Sequence, residues 1–334
     1  MTLHRQNQSL SRFVAVFLAL AVAGCAASTT AADTASETSA AGSDATAAAD
    51  SAATADTAAS ADTQTVDTVG LPAAPTPYAG TCPDFADGAV QMQVGKYGRS
   101  LLVTLPEQPK GAGVLFLWHG LGDTAKNFNN AFGAKQLATT LNAVVITPDA
   151  CCNTATAKGC CSMMTGWHFV ADTAIDADIF DGALSCLEAQ HGIDRKRVYT
   201  MGFSAGGLWS TWLVMHRSAQ LAAAAILSGG VNDYNPWSKP ALPVPVVDSS
   251  GGPTDLFGSG LVDFQASTET LNKYLRGAGH FVVHCQHNQG HTVTPDIVQF
   301  ALHFLSGHSH DAKGQSPLAT GLPVSAPAGC KILP

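Results

Sequence analysis

Positive charge is scarce in this chain. It has 17 Lys and Arg against 25 Asp and Glu, a formal net charge of −8, and charged residues make up only 13% of the whole. Binding a phosphate backbone takes clustered Lys and Arg, and no segment here supplies such a cluster. Nucleic acid is thereby excluded as an expected partner. A second absence is sharper: from Ala26 to Pro77 there is no Lys, no Arg and no aromatic residue. That stretch is almost entirely Ala, Thr, Ser, Asp and Gly. It has too little bulky apolar surface to offset the entropy of ordering it. Residues 26–78 are therefore predicted to be a disordered tether, closed by Pro72, Pro75 and Pro77. A flexible coil of this length has an end-to-end distance of about 40 Å. Its seven acids carry most of the net charge, so the folded part is close to neutral. The apolar run Phe13–Ala23 is also short. A permanent membrane helix needs roughly 20 such residues, so this run does not span comfortably.

The N-terminus reads as an export signal. His4, Arg5 and Arg12 precede the apolar run, and Val22-Ala-Gly-Cys25 follows it. The small residues before Cys25 resemble the lipobox of bacterial lipoproteins, which implies a lipidated Cys25 at the mature N-terminus. A plain secretory signal cleaved nearby is the alternative. Ala26 after the cysteine resembles the sorting pattern for the outer membrane. The expected organisation is a signal over 1–25, a tether over 26–78 and a folded domain over 79–334. The expected address is the bacterial cell envelope or surface, with the protein held on the membrane as a monomer by its lipid.

Nine cysteines are present, and eight remain once Cys25 is set aside: Cys82, Cys151, Cys152, Cys160, Cys161, Cys186, Cys285 and Cys330. An even number in an exported chain reads as disulfides, with the connectivity left open. The Cys151-Cys152 and Cys160-Cys161 doublets could instead hold a metal, but the export signal favours disulfides. Neither metal nor cofactor is expected.

Val90–Val94 and Arg99–Leu105 read as strands joined by a turn, and Gly113–Trp118 as a strand buried on both faces. A helix capped by Asp123 or Thr124 is predicted to run to about Leu141. Further strands are predicted at Ala143–Thr147, Val198–Phe203, Ala222–Leu227, Val244–Val247 and Phe281–Cys285. Helices are predicted over roughly 174–190, from Leu208 to His216, over Asp263–Arg276 and over Pro295–Leu305. Strands alternating with helices imply an α/β fold with a mostly parallel central sheet and helices on both faces. Cys330 predicts that the Gly- and Pro-rich tail is pinned back onto the body.

Within this pattern Gly202-Phe-Ser204-Ala-Gly206 joins a strand to a helix, the context of a nucleophile elbow. A serine hydroxyl needs a neighbouring base before it attacks a carbonyl. The acid and then the base are expected after the serine in the chain. Asp255 lies just past a predicted strand and is the favoured acid. Asp248 reads as a buried structural group and Asp263 as a helix cap. Four histidines compete for the base: His280, His284, His287 and His291. His291 follows Gly290 in a loop that can reach back over Ser204, and it is chosen. A metal site from His284, His287 and His291 needs a convergence that a strand-to-loop run does not obviously give. The oxyanion hole is assigned to the backbone amides of Ala205 and Leu121, the latter within His119-Gly-Leu-Gly122. His119 is expected to orient that loop rather than to transfer protons, and His119 and Trp167 to border the substrate.

These motifs resemble the α/β-hydrolase superfamily and, within it, secreted esterases related to polyhydroxybutyrate depolymerases and feruloyl or acetylxylan esterases. The resemblance covers about residues 88–306. It rests on Leu117-Trp-His-Gly120, Gly192-Ile-Asp-Arg-Lys-Arg-Val-Tyr199, Gly202-Phe-Ser-Ala-Gly-Gly207 and Gly290-His291. His119-Gly-Leu-Gly-Asp-Thr124 also resembles the acyl-protein thioesterase and carboxylesterase branch. Two features depart from the family: Ser249-Ser250 stands before Gly252-Pro-Thr-Asp255, and the double-cysteine loop lies outside its pattern. The resemblance implies an ester hydrolase acting on a polyester or an acylated polysaccharide. Acyl transfer by the same residues and a non-catalytic binding lipoprotein are the alternatives.

Overall fold

A computed structural model describes residues 72–95, 97–150, 166–167 and 176–334. The signal, Cys25, most of the predicted tether and the doublets Cys151, Cys152, Cys160 and Cys161 lie outside the described residues.

The strands are β1 (Gly88–Val94), β2 (Tyr97–Thr104), β3 (Gly113–Trp118), β4 (Ala143–Pro148), β5 (Val198–Phe203), β6 (Ala223–Leu227) and β7 (Val246–Ser250). A short pair follows, β8 (Leu256–Phe257) and β9 (Val262–Asp263), then β10 (Val282–Gln286) and β11 (Cys330–Ile332). The helices are α1 (Ala125–Ala131), α2 (Ala134–Leu141), α3 (Ala177–His191), α4 (Ala205–His216), α5 (Phe264–Gly277) and α6 (Pro295–Ser306). One sheet runs in the order β1-β2-β4-β3-β5-β6-β7-β10-β11. Its centre is parallel from β4 to β10, and its antiparallel pairs lie towards the two edges.

Strand β3 shows why both faces are covered. All six of its residues are buried, and successive side chains point to opposite faces. Val114, Phe116 and Trp118 join a cluster with Phe180 and Leu184 of α3, Leu208 of α4 and Leu271 of α5. Leu115 and Leu117 join another with Phe128 of α1, Leu137 of α2 and Phe300 of α6. The chain thus has the doubly covered sheet of the α/β-hydrolase fold.

Three local differences from the sequence reading have physical causes. The helix expected from 123 or 124 to 141 is two helices. Gly133 adopts φ 64, a left-handed backbone that ends α1 and redirects α2. Thr124 is the cap of α1, its side chain accepting from the Asn127 amide at 3.2 Å. Strand β7 continues beyond Val247 to Ser250, so Asp248 lies inside the sheet. There Asp248 Oδ1 pairs with His284 Nδ1 on the neighbouring β10 at 2.6 Å, and both side chains are buried. Burial pushes His284 down, but the hydrogen bond and the charge of Asp248 outweigh it and hold the imidazole above its ordinary value. The last difference is β11, which adds a tail strand antiparallel to β10.

A disulfide from Cys285 to Cys330 pins that tail strand to β10, and one from Cys82 to Cys186 ties the start of the domain to α3. The buried Tyr199 hydroxyl donates to the His308 carbonyl at 2.8 Å and fastens the tail again. Burial pushes Tyr199 up to about 12, so the phenol remains a donor at neutral pH. Residues 72–78 have no regular structure but hold the body. The Ala73 amide donates to Ala219 at 2.9 Å, and the Tyr78 hydroxyl donates to the Gln93 carbonyl at 2.6 Å.

His280 gives the fold a pH dependence. Its ring is 7% exposed, with Nδ1 3.0 Å from the amide of Val244 and 2.9 Å from its carbonyl. Burial lowers it from 6.5 to about 4. Above 6.5 the ring is neutral in both folded and unfolded chains. Between 6.5 and about 4 the unfolded chain takes up a proton that the folded chain excludes, so stability is lost as pH falls. This group alone is worth about 3 kcal/mol across that window. Burial pushes His119 and His308 in the same direction, and the raised His284 is the one opposing histidine among these. Denaturant unfolding at pH 7.5, 5.5 and 4.5 is expected to show midpoints that fall at each step. A midpoint that rose with acid would contradict this assignment.

Candidate active site

The turn at Ser204 is built by exclusion. Ser204 sits between β5 and α4 at φ 57 and ψ −120, a conformation costly for any residue with a side chain. Glycine is forced on either side of it. A Cβ on Gly202 would lie 2.1 Å from the Gly206 carbonyl oxygen, and one on Gly206 would lie 2.0 Å from that of Trp118. Neither backbone oxygen can move out of the way. The turn is held by the Ser204 amide, which donates to Leu227 of β6 at 3.0 Å.

Around Ser204 the structure brings together groups from the carboxyl ends of several parallel strands, the usual location of sites in open α/β sheets. Ser204 Oγ is 2.9 Å from His291 Nε2, and His291 Nδ1 is 2.6 Å from Asp255 Oδ1. Asp255 is fully buried, whereas the His291 side chain is 18% exposed. The second carboxylate oxygen is held too. Asp255 Oδ2 accepts from Ser228 Oγ at 2.9 Å and from the Gly251 amide at 2.7 Å. The His291 ring stacks between Phe264 at 4.4 Å and Phe203 at 4.9 Å, which leaves it little room to turn.

Ser228, Gly251, Phe203 and Phe264 were not found by sequence reasoning. The one available signal was Ser228-Gly-Gly directly after a strand, at the same sheet edge as Ser204.

The remaining candidates go elsewhere. Asp248 pairs with His284, and Asp263 caps α5 by accepting from the Ala266 amide at 2.9 Å. The histidines once weighed as a metal set take separate partners: His284 has Asp248, His287 Nδ1 accepts from the Gln289 amide at 3.2 Å, and His291 has Ser204 and Asp255.

His119 and Trp167 correct an expectation. Both were expected to border the substrate, but both side chains are completely buried. His119 Nδ1 donates to the Gly120 carbonyl at 2.7 Å, while Nε2 accepts from the Ala150 amide at 3.0 Å. That arrangement requires a neutral ring. Burial holds His119 below its ordinary value, outweighing the Gly120 carbonyl and the nearby Asp123, Asp149 and Asp176. Trp167 Nε1 donates to the His119 carbonyl at 2.9 Å and packs edge-on against Trp118. These side chains therefore hold the loop rather than touch a ligand.

The consequence falls on Leu121. In a planar trans peptide the carbonyl and the following N–H point in opposite directions, so fixing the Gly120 oxygen fixes the Leu121 N–H. Gly120 lies against Ser204, since a Cβ built on it would be 3.4 Å from Ser204 Cβ. Among the described residues neither the Leu121 nor the Ala205 amide has a hydrogen-bond partner. Two unpaired amides thus flank Ser204, one on a rigid loop and the other at the start of α4.

Residues 100–309 match the model of the phospholipase/carboxylesterase family. Feruloyl esterase D of Neurospora crassa is 26% identical over an alignment of 172 positions that covers 47% of this chain and 54% of that protein. The chain therefore spans about half the length of this curated relative. Among solved structures, native sOPH superposes with a TM-score of 0.64 at 20% identity, covering 78% of this chain and 97% of that one. Native pOPH gives a TM-score of 0.60 at 19% identity, covering 75% and 95%. These two likenesses are of fold. The family match covers well over half of the sequence and spans Ser204, Asp255 and His291, and the chain belongs to the phospholipase/carboxylesterase family.

Proposed function

We propose that this protein is a serine carboxylic ester hydrolase working through Ser204, His291 and Asp255. The observation that carries the reading is the unbroken hydrogen-bonded line from Ser204 Oγ through His291 to Asp255, beside the unpaired amides of Leu121 and Ala205.

His291 Nε2 takes the Ser204 proton as Oγ bonds to the ester carbonyl carbon. The oxygen that gains charge is received by the two amides, which need no reorganisation because their loop and helix are already fixed. As the tetrahedral centre collapses, the bond to the alcohol oxygen breaks and His291 gives that oxygen the proton. Water then attacks the acyl-Ser204 ester. His291 removes a proton from the water and returns one to Ser204, releasing the acid. Asp255 accepts from His291 Nδ1–H throughout, fixing the tautomer and stabilising the imidazolium.

The substrate we favour is an acyl or hydroxycinnamoyl ester on a polysaccharide, with a polyester as the competitor. The likeness to a feruloyl esterase supports the first. We further propose that the enzyme is exported and works as a monomer from a lipid on Cys25, at the end of a flexible tether. The lipobox-like Val22-Ala-Gly-Cys25 and the composition of 26–78 support that reading.

A substrate panel tests the proposal: p-nitrophenyl esters from acetate to palmitate, methyl ferulate, acetylated xylan and polyhydroxybutyrate film. Hydrolysis of short p-nitrophenyl esters and of methyl ferulate or acetylated xylan is expected. A preference for the polyester film would replace the glycan reading, and inactivity on every member would remove the esterase reading.

A further inference from the structure

Between Asp255 and α5 the chain forms a small hairpin. Leu256 pairs with Asp263 and Phe257 with Val262. Its tip, Gly258-Ser-Gly260, has three consecutive residues with positive φ of 60, 58 and 90. The base of the hairpin is fixed to the site. The Phe264 amide donates to the Asp255 carbonyl at 2.9 Å, and the Phe264 ring stacks on His291 at 4.4 Å.

Three of the four apolar side chains of this hairpin face outward, while Val262 packs against the core. Five large hydrophobic residues are exposed among the described residues, and three of them lie here: Leu256 at 43%, Phe257 at 39% and Leu261 at 45%. Scattered exposed leucines need no explanation, but a cluster within six residues beginning beside a site residue does. Two-residue strands are too short to account for it, since such a pair has almost no stability of its own. The cluster is continuous with the active site. The Phe257 ring centroid is 6.4 Å from that of His291, tilted by 54°.

The chemistry says which part of an ester meets this surface. This step rests on the serine esterase reading. The alcohol oxygen must come within hydrogen-bond reach of His291 Nε2 to collect its proton as the carbon–oxygen bond breaks. The carbonyl oxygen is drawn instead to the amides of Leu121 and Ala205. The group carried by the alcohol oxygen therefore starts beside the His291 ring, and the exposed Phe257 of the hairpin stands next to that ring. We infer that the hairpin Leu256–Asp263 is the leaving-group subsite of the enzyme, packing against the apolar surface of the ester's alcohol portion: the C–H face of a sugar ring in the favoured glycan ester, and the alkyl or aryl group of a small ester used as a probe.

Two ester series read out the inference in the full-length protein. One fixes the acid and varies the alcohol, from methyl through hexyl to benzyl acetate. The other fixes methanol and varies the acid, from acetate to hexanoate. The variants are Phe257→Ala and Leu261→Ser, with thermal melting as the check on folding. Leu261→Ser, at an exposed position, serves if Phe257→Ala does not fold. The hexyl-to-methyl and benzyl-to-methyl ratios of kcat/KM in the alcohol series are expected to fall by roughly ten- to a hundredfold, the range for losing apolar contacts in a specificity site. The ratio across the acid series is expected to stay as in the wild type. Ratios that fall in the acid series instead, fall equally in both or change in neither overturn the subsite. Failure of the underlying reading looks different: a Ser204→Ala protein would then still hydrolyse methyl acetate at the wild-type rate.

Discussion

Replacing Ser204 with alanine is expected to lower kcat/KM for every ester the protein cleaves by about a millionfold, the loss seen when the nucleophile of such a triad is removed. The change deletes one oxygen and keeps the Cβ, so the strained turn at φ 57 and the glycine contacts around it remain as they are. The lost hydrogen bond to His291 spans a partly exposed ring and is worth about 1 kcal/mol of stability. Rate and fold should therefore separate cleanly: activity disappears while the melting temperature moves by a few degrees at most. A residual rate above that of water is still expected, because the amides of Leu121 and Ala205 are untouched. Kinetics on p-nitrophenyl acetate, paired with a melting curve, measure both. An unfolded variant would leave the rate uninterpretable, and Ser204→Cys, which keeps a nucleophile, would then supply the comparison.

The second large effect is expected at Asp255. Asp255→Asn should lower kcat by about 10⁴-fold, comparable to the loss when a triad carboxylate becomes an amide. The direction of the amide can be worked out. The Ser228 hydroxyl and the Gly251 amide both donate to Oδ2, so the asparagine oxygen is required there. The amide nitrogen is then forced to face His291 Nδ1, and its N–H groups donate to it. Nε2 must in turn carry the proton, and a protonated Nε2 cannot accept one from Ser204. The chain supplies its own control. Asp248 also pairs with a histidine 36 residues later at 2.6 Å, the same separation and distance as in the Asp255 pair. Asp248→Asn is expected to keep kcat within a few-fold and to cost about 1–3 kcal/mol of stability through a weakened buried hydrogen bond. Equal losses of kcat in the two variants would count against the assignment of roles.

The two Asp–His pairs also show what was and was not legible beforehand. The elbow could be read directly, because Gly202 and Gly206 are required by backbone oxygens at about 2 Å and a motif records such requirements. The strand pattern predicts an acid and then a base after the serine, and position alone favours Asp255 over Asp248; in the structure Asp255 is the carboxylate bonded to His291, while Asp248 is bonded to His284. The partners that make Asp255 an oriented acceptor were not legible. Ser228 and Gly251 come from different loops and meet only when β6 and β7 lie side by side. The aromatic stack on His291 was hidden for the same reason, with Phe203 ending β5 and Phe264 starting α5. His119 reads two ways in the sequence, as orienting its loop and as bordering the substrate, and its burial and hydrogen bonds match the first; Trp167 is turned inward as well, onto the His119 carbonyl. The break between α1 and α2 was missed because one left-handed glycine leaves the helical periodicity on either side intact.

The central claim is that Ser204 is a nucleophile made reactive by His291. Its most direct test is incubation of the full-length protein with a fluorophosphonate, followed by peptide mass spectrometry. A single adduct on the peptide that contains Ser204, formed at a rate that drops sharply in a His291→Ala variant, is the predicted result. An unlabelled Ser204, or labelling that proceeds equally fast without His291, would contradict the account.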